Sequence, residues 1–100
     1  MATFHELWHA YGNDPRPTNI GARVDGVLIG DLDDEIQDIA GSYAGLRAEV
    51  GAWRVARLGL ALAEVTRILP RLEPESTRRY FERLARLART ALVEIANREA

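Results

Sequence analysis

From Leu46 to Arg98 apolar residues return every three or four positions, and the rhythm stops only at Leu69-Pro70-Arg71-Leu72-Glu73-Pro74. A 3.6-residue repeat of that length belongs to helices with one buried face, and a proline-marked break between two such runs turns the chain back on itself. The pattern predicts an antiparallel pair of long helices over about 47–69 and 74–97. The first offers Val50, Trp53, Val55, Leu58, Leu62, Val65 and Leu69 for burial, with Trp53 as a core anchor. The second offers Tyr80 or Phe81, Leu84, Leu87, Ala88, Ala91, Leu92 and Ile95. Pro70 helps to end the first helix. Pro74 is expected to open the second, because a first-turn residue needs no amide hydrogen for the helix.

A further principal helix is predicted over about 32–45, with Leu32, Ile36, Ile39 and Tyr43 as its buried stripe. Asp31 is its expected N-cap, and Asp33, Asp34 and Glu35 would then lie in the first turn, near the positive end of the helix dipole. Gly41, Gly45 and Gly51 lower helix propensity in this region, and a break near Gly45 is expected to separate this helix from the next. At the N-terminus, Thr3 caps a short helix over about 4–11 that turns Phe4, Leu7, Trp8 and Tyr11 towards the core and stops at Gly12. Two prolines and two Asx residues make 13–19 a linker or surface loop. In 22–29, Asp25-Gly26 stands between short apolar runs, a type I′ hairpin signal, but strands this short are marginal alone and are read as a hairpin-like loop. The expected fold is all-α: one domain over 1–100, with a short helix and irregular loop in 1–30 and a small helical bundle in 31–98.

One hundred residues that are 47% apolar suffice for a single core without staples. With no cysteine there is no disulfide or thiolate metal site, and a cytoplasmic location is expected. No apolar run approaches the ~18 residues of a membrane-spanning helix, and the first residues lack the pattern of a signal peptide. All 13 basic residues are arginine, a bias that reflects genome composition rather than activity. The net charge of −2 is unevenly spread: residues 1–40 hold eight acidic residues and two Arg (−6), residues 41–100 eleven Arg and seven Glu (+4). Internal attraction between the two parts is the simplest consequence.

One string carries candidate chemistry. His5-Glu6-Leu7-Trp8-His9 matches the H-E-x-x-H motif and so resembles zinc peptidases, in which two His one helical turn apart hold the metal and the Glu activates its water. On that reading His5 and His9 are ligands, Glu6 is the general base, and a third ligand would have to be a carboxylate such as Glu35 or Glu64, which no motif singles out. Against it, only four residues precede His5, leaving no substrate-aligning sheet, and the apolar stripe turns His5 and Glu6 to the polar side. Two solvated surface histidines are the expected outcome, with no metal or other cofactor.

Two charged clusters remain. Asp31, Asp33, Asp34, Glu35 and Asp38 lack EF-hand spacing and are explained by helix-start chemistry, though they would also suit an acidic docking surface. Arg79, Arg83 and Arg86, with Arg78 and Arg89, make the last helix basic, yet the overall charge and the lack of a recognition motif disfavour nucleic acid. The leading expectation is a non-catalytic protein-interaction module of bacterial type, such as an immunity, antitoxin-like or accessory subunit, with a homodimer favoured because one hairpin leaves Trp53 and the Leu58–Leu62 side hard to cover together. Nucleic-acid binding through the Arg-rich helix and a small zinc hydrolase are the alternatives.

Overall fold

The computed structural model describes residues 2–46 and 50–99. It is a small all-α bundle: α1 (Phe4–Gly12), a hairpin of β1 (Arg23–Val24) and β2 (Val27–Leu28), then α2 (Ile29–Leu46), α3 (Ala52–Ile68), a 3-10 turn (Leu69–Arg71) and α4 (Glu75–Glu99). The helix α4 is the spine and packs against all three others. Its apolar stripe is wide enough to bury Tyr80, Phe81, Leu84, Ala85, Leu87, Ala88, Ala91 and Ile95 together, so both members of the Tyr80-Phe81 pair enter the core. Ile36, Ile39 and Tyr43 of α2 and Leu58, Ala61, Val65 and Ile68 of α3 complete it.

Thr3 caps α1 as expected. Its hydroxyl accepts from Glu6 N at 3.2 Å, and Thr3 N donates to Glu6 Oε1 at 3.4 Å. Phe4 is buried, while Leu7, Trp8 and Tyr11 are partly buried against the core. Phe4 meets the Tyr43 ring edge-on at 4.9 Å between centroids. Trp8 lies over Gly41, where an added Cβ would sit 3.3 Å from the indole. That glycine, which weakens α2 as a helix, gives the indole its seat.

The Asp-Gly hairpin is a real two-stranded ribbon, pairing Arg23 with Leu28 and Val24 with Val27. Asp25 (φ 51°) and Gly26 (φ 79°) both take the left-handed conformation that a type I′ turn requires. This ribbon feeds straight into α2, which corrects the expected helix start. The helix begins at Ile29, not after Asp31, because the Ile29 amide is held by Ala22 O at 3.1 Å and its side chain is fully buried. Asp31 therefore lies inside the first turn and is no N-cap. Gly30 is required here, since a Cβ would come within 2.8 Å of Ile20 O.

The α2 and α3 helices are separate, as the glycines indicated. Residues 47–49, where the third predicted helix was to begin, lie outside the described residues; α3 starts at Ala52 with Gly51 in extended conformation as its N-cap. Pro74 precedes α4 rather than opening it, its carbonyl accepting from Thr77 N and Arg78 N.

Trp53 is the largest correction. It is 74% exposed and anchors no core. At about 100° per residue it stands roughly 140° around the helix from Leu58 and roughly 120° from Val65, so it cannot share their face. Leu32, Val55, Leu62, Leu69 and Leu92 are half-buried at the margins of their stripes.

Candidate functional site

His5 and His9 both project from the exposed side of α1 and line an open concavity of about 560 Å³ with Trp8, Asn13 and Gln37. Between them Glu6 is committed to the capping box, its Oε1 also accepting from the Thr3 hydroxyl at 3.1 Å. The two carboxylates considered as third ligands are elsewhere. Glu35 pairs with Arg57 at 2.6 Å and Glu64 with Arg67 at 2.7 Å, and both line a groove between α2 and α3. Among the described residues no group of three His, Asp or Glu is placed to hold a metal ion. The H-E-x-x-H string thus supplies a helix cap and two exposed imidazoles one turn apart.

The acidic cluster is largely spent within the molecule. Asp34 pairs with Arg16 (3.1 Å), Glu35 with Arg57, and Asp38 with Arg54 (3.3 Å), whose Nη2 also donates to Ser42 Oγ at 2.8 Å. Asp31 is exposed and has no ion pair among the described residues.

Asp33 has a different fate. It is completely buried and accepts from the Tyr11 hydroxyl at 2.7 Å, the Tyr80 hydroxyl at 3.0 Å and Arg16 Nε at 2.8 Å. One carboxylate thereby ties α1, the 13–22 loop, α2 and α4 together. Burial, the neighbouring Tyr80 hydroxyl and the Asp33 carboxylate hold the Tyr11 phenol far above the ordinary tyrosine range. Burial is also the main reason that Tyr80 is pushed up to about 12, with Asp33 adding to it against the opposing effect of Tyr11. Neutral phenols donate to a carboxylate whose two oxygens are both occupied, so the cluster clamps the elements it joins. A second clamp lies nearby. Buried Thr77 donates to Asn19 Oδ1 at 2.8 Å, and Asn19 Nδ2 donates to Glu73 O at 2.8 Å.

The basic face of α4 is partly neutralised as well. Arg79 pairs with Glu75 at 2.9 Å and Arg78 with Glu75 and Glu82, while Arg83 grips Asp14 through two hydrogen bonds of 2.6 and 3.0 Å. Arg86 and Arg89 are exposed with no such partner among the described residues.

With most of the charged candidates paired, the next surface that stands out is apolar. Trp53 (74% exposed) and Leu60 (69% exposed) are two helical turns apart on the outer face of α3, with exposed Ala56 between them and Ala63 one turn beyond. Single exposed apolar residues are ordinary, but a tryptophan and a leucine aligned on one helix face form a patch of the kind found at contact surfaces. Beside it Leu60, Ala61 and Leu32 floor a shallow groove of about 290 Å³ bordered by Asp31, Glu35 and Glu64. Sequence reasoning found Trp53 but assigned it inward. It also missed that Asp33, alone in its cluster, faces the two tyrosines.

Comparison with known proteins finds no matching family model, no similar curated protein and no solved structure that matches.

Proposed function

We propose that this chain is a non-catalytic helical interaction module, working in the cytoplasm, that binds protein through the outer face of α3. The observation that carries the reading is the exposure of Trp53 and Leu60 on one face of a helix whose opposite face, Leu58, Ala61, Val65 and Ile68, is buried in the core. Keeping such side chains in water costs free energy that burial against a partner recovers, and tryptophan is among the residues most often found at the energetic centre of protein interfaces. No helix of the described residues is long and apolar enough to cross a membrane. Binding of nucleic acid through α4 has weaker support, since Arg78, Arg79 and Arg83 already have acidic partners.

Site-specific photocrosslinking in cells tests this. A benzophenone amino acid at position 53 or 60 is expected to give a protein adduct of defined mass, whereas the same probe at 79 or 86 gives none. Adducts only from the α4 positions, or from neither face, would contradict the proposal.

A further inference from the structure

We infer that the partner on the outer face of α3 is a second copy of this chain, docked antiparallel; the inference rests on the protein-binding reading above. Trp53, Ala56, Leu60 and Ala63 follow each other at steps of three, four and three residues, all exposed, within an arc of about 80° at 100° per residue. Large and small side chains alternate along this seam. A twofold axis level with Leu58 sets Trp53 against Ala63 of the second copy and Leu60 against its Ala56, so each large side chain meets a small one in both directions. A parallel arrangement would instead stack Trp53 on Trp53 and leave Ala56 facing Ala56 across a gap. Gly59 lies beside the proposed axis, and a Cβ there would meet nothing within 4 Å, so the backbone is open to close approach.

Charge points the same way. Flanking the seam on α2 and α3 are four carboxylates, Asp31, Glu35, Asp38 and Glu64, against Arg54, Arg57 and Arg67, a balance of −1, with three of the carboxylates already paired. A rim this close to neutral does not repel a copy of itself and offers little to a strongly charged partner. Area sets a requirement. Covering Trp53 and Leu60 in both copies removes on the order of 600 Å² from water if a large aromatic presents about 250 Å², roughly half of what the smallest stable interfaces bury. The remainder would come from the solvent-facing parts of residues beside the seam, Arg57, Glu64 and Arg67 on α3 and Asp31 and Glu35 on α2.

Sedimentation velocity and disulfide trapping test the inference, the latter made simple by a chain without cysteine. At tens of micromolar the wild type is expected at twice the chain mass. Trp53→Glu and, independently, Leu60→Glu are expected at the monomer mass with unchanged helical circular dichroism, their positions being exposed. Under mild oxidation an equimolar mixture of Ala56→Cys and Leu60→Cys should form covalent dimer at least tenfold faster than either variant alone. A wild type that stays monomeric to millimolar concentration overturns the self-pairing while leaving the protein-binding reading intact, because the photoprobe at 53 would then report a foreign mass. A dimer that survives both glutamate substitutions, or Ala56→Cys linking fastest to itself, overturns the pairing proposed.

Discussion

Asp33 has no exposed surface and receives three donors from three separate segments, so its removal leaves more than a missing contact. Asp33→Ala leaves the buried Tyr80 hydroxyl and the half-buried Tyr11 hydroxyl without their acceptor, at about 1–3 kcal/mol for each, while the Arg16 side chain, 47% exposed, can turn to water. The expectation is a loss of that size in urea denaturation, with Tyr80→Phe losing only about 1 kcal/mol because Asp33 keeps its other donors. The tyrosines set a pH limit of their own. Tyr11, Tyr43 and Tyr80 are all raised, Tyr43 mainly by burial and then by its hydrogen bond to Glu94, so the fold favours each neutral phenol more than the unfolded chain does. Their contribution is whole below the ordinary phenol value of about 10 and is lost as pH climbs through the folded values, about 12 for Tyr80. A spectrophotometric titration should show tyrosinate appearing above pH ~10 and together with unfolding; an ordinary titration with the fold intact would contradict the clamp. None of this was legible in the sequence. Asp33 reads like its neighbours, and only the packing of Tyr11 and Tyr80 from remote helices distinguishes it.

The helices themselves were largely legible, because 3.6-residue periodicity and caps are local signals. Thr3 with Glu6 and the Asp25-Gly26 turn formed as their chemistry requires. The expectations that failed did so for different reasons. α2 begins at Ile29 because the hairpin delivers a buried isoleucine there, which demotes Asp31 from cap to first-turn residue. On α3, counting apolar residues without placing them around the helix put Trp53 among Leu58 and Val65; the angular offset was available in the sequence and decides the matter. The two placements of Trp53 differ in energy. Trp53→Ala should alter stability by no more than about 0.5 kcal/mol at an exposed site, where a buried tryptophan would cost about 3–5. Chemical denaturation at low protein concentration, where self-association is minimal, reads the difference directly.

At the scale of the whole molecule, the opposed charges of the two parts of the sequence meet. Asp14, Asp25, Glu35 and Asp38 from the first forty residues pair with Arg83, Arg71, Arg57 and Arg54 from the rest. That complementarity takes up Glu35 and Asp38 of the acidic cluster and Arg83 of the basic face, whereas Asp33 and Asp34 pair with Arg16, and Arg78 and Arg79 with Glu75 and Glu82. What it leaves is an outward apolar seam on α3, invisible to composition because its residues look like any others of a core. The proposed role as an interaction module makes Trp53 essential and Glu6 and His9 dispensable, whereas a zinc hydrolase reverses the two. The most direct measurement is complementation of a deletion of the gene by Trp53→Glu, Glu6→Gln and His9→Ala alleles expressed at equal levels. Loss of function with Trp53→Glu alone is the expected result; full activity of that allele, with failure of Glu6→Gln and His9→Ala, would contradict it.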